Sequence, residues 1–398
     1  IAYTPLHIEL DERRARLRSA VPGHYRSAES ALDEAMRKAA ASGDDRALSR
    51  LWVLLVGIVG NDLGRPADAL SQRRSAELAF ARAGLSPADA LRASLLHNLA
   101  LAAWRAGRAD EAEQLCREAL AMRERALGAA HPDVGNSLNL LAILAGERGD
   151  LDAAGSHHER ALAVRRAALG DNHPFVADSL DNLGVVRQRQ GRVAEALALH
   201  EQALSLRERV LGPDHTDVGT SLNNVGSLRL ELGQYDVAGT LFERVNAIWR
   251  ETLPPGDVSF AILRINQGDV ALGQGDAARA HKACEEALAI ERAVVEPDSP
   301  TLAWQFTCLG EAALLSGHAK DALVPLEKAL ALRAEDALPT ERARTELALA
   351  RALLESRSDR TRALGLVRAA REVFAGAGEL GALRLSESER VIARLRSP

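Results

Sequence analysis

Aromatic residues occupy only 3% of this chain, although 47% of it is hydrophobic. The apolar mass is alanine and leucine, with glutamate, arginine and aspartate at the polar positions. Alanine and leucine lose little on entering a helix, and the β-branched and aromatic runs that strands need are missing. Helix throughout is the expectation. An excess of basic charge is missing too: the net charge is −5, the pI is near 6.2, and like charges nowhere form a long block. A duplex nucleic-acid binder carries a basic stripe to displace counterions, so no nucleic-acid partner is expected. The longest apolar stretch, Leu51 to Val59, falls far short of the roughly 18–20 residues of a membrane span, and no membrane contact is expected. Cysteine is scarce. Cys116, Cys284 and Cys308 lie far apart in sequence, make no disulfide framework, and fit a reducing, cytoplasmic setting. There is no signal-peptide pattern, and an opening on Ile1 rather than methionine leads us to expect a segment of a longer protein.

Catalytic signatures are absent as well. The sequence has no glycine-rich phosphate loop, no His-Arg-Asp or Asp-Phe-Gly, and no Gly-x-Ser-x-Gly elbow, so no catalytic residue and no cofactor is expected. His131, His173 and His215 recur in register. Packed helices sit roughly 8–10 Å apart, too far for successive loops to share one ion with ligands about 2 Å away; these histidines are expected to close loops. His281 and Cys284 have an i, i+3 spacing, but Cys284 stands at the repeat position of Cys116, on the buried side. A buried free cysteine there behaves as a small hydrophobe rather than a metal ligand.

What is present is a period. A chain of 398 residues exceeds the usual single-core domain and should split into domains or form a repeat array. Glycines stand at Gly107, Gly149, Gly191, Gly233, Gly275 and Gly317, each 42 residues after the last, with Gly64 and Gly23 extending the series at 43 and 41. Five residues after each comes alanine, from Ala28 and Ala69 to Ala322, and seven further on a small residue, from Ala35 to Ala329, with Val245 the largest. Seven residues before the glycine, from the second unit on, stand Gly57, Ala100, Ala142, Gly184, Gly226, Gly268 and Gly310. A left-handed glycine ends one helix, a second begins two or three residues later, and the small residues let the two approach closely. One such pair cannot bury its own apolar face, so stability accumulates from neighbour contacts along a stack. Between units, Leu127 to Pro132, Leu169 to Pro174 and Leu211 to Thr216 form a repeated loop, with proline tolerated at a helix start. Thr4-Pro5, Ser86-Pro87 and Ser299-Pro300 predict a side-chain cap followed by proline at other starts.

The small positions, the turn glycine and the 42-residue spacing resemble the tetratricopeptide repeat (TPR). The segments Ser179 to Gly184 and Ser221 to Gly226 are similar to kinesin-light-chain repeats. The degenerate ends, Gly43 to Ala47 leading into Val59-Gly60 and the stretch Ala348 to Phe374, resemble the repeat region of large bacterial serine/threonine protein kinases. The fold class implied is all-α, a right-handed α-solenoid of tandem helix-turn-helix repeats. We divide it into a degenerate pair at 1–42, a degenerate repeat at 43–86, regular repeats at 87–337, and a last repeat with a capping helix at 338–398. Ser358 stands where the last turn glycine belongs, Pro325 should kink its helix, and Leu253-Pro254-Pro255-Gly256, with Asn246 nearby, predicts a bend near 245–260.

The resemblance also implies a site: a protein or peptide ligand in a concave groove lined by the first helix of each pair. In that family an asparagine two residues before the small position often holds a peptide backbone. Here the position carries Asn98, Asn182, Asn224 and Asn266, with Leu140 and Cys308 departing from it. One residue earlier come His97, Asn139, Asp181 and Asn223; one turn later come Trp104, Arg105, Gln188 and Arg189, alternating with Glu147 and Glu231. Amides offer both donor and acceptor to any main chain. The alternative is that these asparagines bridge or cap neighbouring helices. Alternating arginine and glutamate do not form a two-lysine, two-asparagine carboxylate clamp, so chaperone-tail binding is not assigned. Trp104 and Trp304 either anchor a partner or pack in a seam, and Leu272, Leu314 and Leu315 make the late groove apolar, to be covered by the capping helix or by a partner. The implied function is a protein-binding scaffold, the regulatory interaction region of a bacterial serine/threonine kinase signalling protein. The alternative is a signal-peptide receptor whose ligand alters the solenoid to control an attached effector. Oligomeric state is left open.

Overall fold

The structure, a computed structural model, describes residues 4–19, 25–86, 89–333 and 339–396, and every regular element among them is helical. It divides into two compact units, Ile1–Ser179 and Leu180–Pro398. In the first, helix Thr4–Ser19 pairs with Tyr25–Ser42, Ala90–Arg105 with Ala109–Leu127, and Pro132–Glu147 with Leu151–Leu169. An irregular pair intervenes: Asp45–Gly57 runs on into a π-helical turn, Ile58–Asp62, and its partner is split at Gln72 into Pro66–Ser71 and Arg73–Arg82. Helices Pro174–Arg189 and Val193–Leu211 follow. In the second unit Thr216–Glu231 pairs with Tyr235–Thr252, Ser259–Gly273 with Ala277–Arg292, Ala303–Leu315 with Ala319–Leu332, and Pro339–Glu355 with Arg360–Gly376. A 3-10 turn, Gly378–Gly381, leads into the expected capping helix, Ala382–Arg396.

The turn glycines do what their period predicts. From Gly107 to Gly317, φ lies between +73° and +82°. The Gly107 N–H donates to the Trp104 carbonyl and the Arg108 N–H to that of Ala103, both at 2.9 Å, which satisfies carbonyls the helix end would leave orphaned. Gly23 lies outside the described residues. At the last turn the left-handed residue is Arg357, φ 55°, and not Ser358. The Arg357 N–H reaches back to Leu354 and that of Ser358 to Leu353, so Arg357 takes the glycine's role one residue early, and Asp359 caps the next helix at Arg362 N–H.

The recurring histidines close loops, as expected, by an identifiable bond. Nδ1 of His131, His173 and His215 each accepts the backbone N–H two residues on, at 3.2 Å, an imidazole serving as helix N-cap. Ser299 differs from expectation: it makes no backbone cap, and its hydroxyl pairs with that of Thr301 at 2.8 Å. Pro87 and the Thr4 and Pro5 side chains lie outside the described residues. Helix Ala319–Leu332 runs through Pro325 unbroken. After Thr252 the chain turns extended at Leu253 and left-handed at Gly256 before the next helix at Ser259, and Asn246 accepts from Arg264 at 3.2 Å.

Within each pair, the small position seven before the turn faces the residue nine after it. A Cβ on Gly184 would lie 2.7 Å from the His200 ring, and one on Gly226 2.7 Å from Phe242. Gly268 faces two sulfurs, those of Cys284 and Cys308, which are bonded to each other. That bond corrects the expectation of three free cysteines; only Cys116 is free. Twenty-four residues of sequence separate the bonded pair, yet their Cα atoms are 5.9 Å apart, because the second helix of one pair lies beside the first helix of the next. While bonded, Cys284 has no thiolate for a metal, and His281 faces Glu285 instead.

Successive pairs are joined by a buried ladder that the sequence reading missed. Arg123 donates to the Ser137 hydroxyl at 2.7 Å and the Asp133 carbonyl at 2.9 Å. Arg165 repeats this on Ser179 at 2.8 Å and Phe175 at 3.1 Å, and Arg207 on the Ser221 hydroxyl and the Asp181 carboxylate. Further along the same repeat position Trp249 stacks edge-on against Phe260, Glu291 accepts from Gln305 at 3.2 Å, and Arg333 donates to Thr345 at 2.9 Å.

Two expectations follow. Gly226→Ala gains helix propensity but drives a methyl into Phe242, and should lose about 1–3 kcal/mol in urea denaturation. Adding Phe242→Leu should recover part of the loss, a coupling that a double-mutant cycle resolves; full stability in the alanine variant alone would refute the close approach. His158 is 3% exposed, and burial, then the charges of Arg165 and His157, push its imidazole down to about 4 from 6.5. The unfolded chain takes up that proton near 6.5 and the folded chain only near 4, so stability present above 6.5 is lost as pH falls between them. The melting temperature of His158→Gln should therefore fall less steeply than wild type across that window, as calorimetry at stepped pH would show.

Candidate functional site

The side chains proposed to hold a peptide sit on successive first helices, some in each unit. In the first unit Asn98 and Trp104 lie half-buried on Ala90–Arg105, Arg105 is exposed at its end, and Asn139 is half-buried on Pro132–Glu147. These residues are tied to neighbouring helices. Asn98 Nδ2 donates to the Val53 carbonyl at 2.9 Å, Trp104 Nε1 to both Glu147 oxygens at 2.8 and 2.9 Å, and Arg105 to the Asn61 carbonyl at 3.0 Å. Trp104 is thus a seam residue held by an ion. The His97 ring, beside Asn98, is pushed down to about 3 by burial and the nearby Arg123, and its Nδ1 is buried without a partner.

In the second unit the bridging continues and then stops. Asn266 Nδ2 donates to Asn223 Oδ1 at 3.0 Å and to the Ser227 hydroxyl at 3.3 Å. Gln188 Nε2 reaches both Glu231 oxygens at 2.8 Å, and Asn182 also has an interaction partner. For Asn98, Asn223 and Asn266, the bridging role is therefore the one the geometry shows. Asn224 and Arg189 stand apart. Asn224 is half-buried and Arg189 exposed, and the side chain of neither makes a hydrogen bond among the described residues.

Further along the same unit is a charge cluster with no counterpart in the sequence reading. Arg344 lies between Asp269, at 2.8 Å, and Glu311, at 3.0 Å, and Arg384 from the capping helix reaches Glu311 at 3.1 Å. Burial alone would raise the Glu311 carboxyl, but Arg344 and Arg384 beside it hold it down at about 2. The acids lie one repeat apart, Asp269 and Glu311, which is the signal that a register search for charge would have found. The capping helix reaches only part of the apolar end. Leu385, Val391, Ile392 and Leu395 join the core to which Leu314 also belongs, while Leu315 stays 40% exposed and Leu272 packs against Ala271, Ala280 and Ala312. Trp304 is 43% exposed, with the Arg333 guanidinium 5.9 Å from its ring. On another face a shallow cavity of about 310 Å³ is floored by Phe306, with Lys328 4.9 Å above the ring. Among the described residues no cluster of histidine, cysteine and carboxylate side chains has metal-binding geometry, and no helix is long and apolar enough to cross a membrane.

Helix pairs that, from the second on, are turned by a left-handed residue, with side chains tying one pair to the next among the described residues, define a helical-repeat protein. A tetratricopeptide repeat profile matches residues 91–166, 139–193, 175–251 and 259–335, more than half of the chain. The chain belongs to the tetratricopeptide repeat family, whose members act generally as scaffolds for protein–protein interaction. Solved structures similar to it include BtubC (BKLC) from P. vanneervenii, 25% identical over 59% of this chain and 92% of that one, with a TM-score of 0.46. A putative kinesin light chain from Podosopora anserina with nearly identical TPR-like repeats is 24% identical over 51% of this chain and 96% of its own, TM-score 0.41. A tetratricopeptide repeat protein from Parabacteroides merdae is 14% identical over 77% and 99%, TM-score 0.46. No curated protein sequence matches the chain.

Proposed function

We propose that this chain binds a protein or peptide segment along the first helices of its second unit. The observation that carries the reading is the pair Asn224 and Arg189, which keep their donors unspent where neighbouring amides are spent on bridges. An amide gives and accepts one main-chain hydrogen bond on any sequence, and a guanidinium adds preference for an acidic or carbonyl-rich segment. The wider setting we propose is the regulatory interaction region of a bacterial serine/threonine kinase signalling protein, supported by the texture of the degenerate ends. The receptor reading, in which a peptide changes the solenoid to control an effector, is favoured by the C-terminal contacts described below.

Asn224→Ala/Arg189→Glu tests the site. Both side chains are partly or fully in solvent, so the variant should melt within about 0.5 kcal/mol of wild type per site while losing most of its bound partner in a quantitative pull-down from the native cell. Undiminished recovery of the same partner would end the assignment. A cytoplasmic setting is part of the proposal, and the Cys284–Cys308 bond gives it a readout. Rapid thiol trapping in native cells followed by mass spectrometry should find the pair reduced there; a pair found fully oxidised would move the chain to an oxidising compartment.

A further inference from the structure

The C-terminal segment does more than cap the last helix pair. Its helix Ala382–Arg396 packs on Arg360–Gly376 as a cap should, with Val391 and Leu395 in the shared core. The turn before it, Gly378–Gly381, and the helix's own first residues reach elsewhere. Leu380 packs against Val193, Ala196 and Leu228, with Leu197 and Leu232 at the edge. Leu383 stands over Gly233, so close that a Cβ there would meet its Cδ1 at 2.9 Å. Arg384 pairs with Glu311 at 3.1 Å. All these partners belong to the second unit, near the ends of its first helices and the turns that follow them.

The contact is real but shallow. Leu383 remains 51% exposed, Leu380 is only half-buried, and Gly378, Glu379 and Ala382 around them are exposed. Apart from the buried Gly381, most of the turn's own surface is still in water, so little apolar area holds it down, which is the kind of contact from which local openings are drawn. Beneath it lies a surface of fixed chemistry. Val193, Leu228 and Leu232 form an apolar floor, Gly233 leaves room for a branched side chain, and Glu311, 6% exposed as a side chain, supplies a negative charge at one end.

We propose that residues 378–384 are a clasp seated on a docking surface, and that this surface takes partner segments of the same chemistry: two leucines three positions apart followed by a cation. The clasp is the occupant when no partner is present, and a partner binds by displacing it. This rests on the reading that the first helices of the second unit accept a protein segment, and it names that segment's chemistry. Complementary charge sets the polarity of docking: the cation goes to Glu311, which places the leucines over Leu228 and Gly233.

The test uses the full chain and a fluorescent peptide copied from residues 377–388. Leu380→Asp/Leu383→Asp in the protein releases the clasp, and that variant should bind the peptide at least tenfold more tightly than wild type by anisotropy. A peptide carrying Arg384→Glu should bind the variant at least tenfold more weakly than the native peptide. Should the double variant fail to fold, Leu383→Ser, at a half-exposed position, replaces it. On wild type, excess peptide should also speed hydrogen exchange of the chain's own amides at 380–384. Equal binding to wild type and variant, or no binding to a variant that melts like wild type, overturns the proposal. So does a wild-type dimer that dissociates on the same substitutions, which would make the segment an arm exchanged with a second copy. Loss of the cellular partner in Asn224→Ala/Arg189→Glu alongside no peptide binding would leave the general function standing and remove the clasp alone.

Discussion

The distance between two helices in a pair governs everything else in this protein. At the small position of each first helix the second helix comes close enough that one methyl group decides whether they fit. Glycine stands there over several large or rigid side chains: His200 over Gly184, Phe242 over Gly226, the bonded sulfurs over Gly268, Leu326 over Gly310; Ala142, opposite His158 by the same count, departs from this. Alanine suffices over Cys116, as Ala100 does. The pair is therefore packed by complementary volumes, in the manner of any dense protein interior. Where the pairs lie fixes which residues the next first helix can present and which it must bury.

Much of this was legible because it is periodic. The turn glycines, the alanine five residues on and the small positions all carry one constraint repeated many times, and repetition is what a single sequence displays best. The histidine caps were legible for the same reason. Failures came where a residue's meaning depends on a neighbour in the stack rather than in the chain. Cys284 and Cys308 look remote until the second helix of one pair is laid against the first helix of the next. Ser358 looks like the turn residue by its surroundings, but the hydrogen bonds place the turn at Arg357, 40 residues after Gly317 rather than 42, because this repeat is shortened and its register shifts.

The candidate site shows the same limit more sharply. An asparagine row marks a groove in sequence, yet an amide suits a bridge between helices as well as a ligand, and only three-dimensional neighbours separate the two uses. Asn98 and Asn266 are spent on bridges; Asn224 is not. The Asp269–Arg344–Glu311–Arg384 cluster is only half legible: the two acids keep the 42-residue spacing, but their arginines come from two further helices at no repeat spacing.

The buried ladder between pairs has a consequence for how such a chain can evolve. Arginine meets serine at three successive joints, tryptophan meets phenylalanine at the next, glutamate meets glutamine after that, and arginine meets threonine last. Each joint thus carries its own lock, cut half on one repeat and half on the following one. A duplication or deletion among the arginine–serine repeats leaves every lock with its key. The same event across Trp249 or Glu291 would strand a buried guanidinium or carboxylate against an apolar face. A change in repeat number therefore costs less in one stretch of the array than in the other.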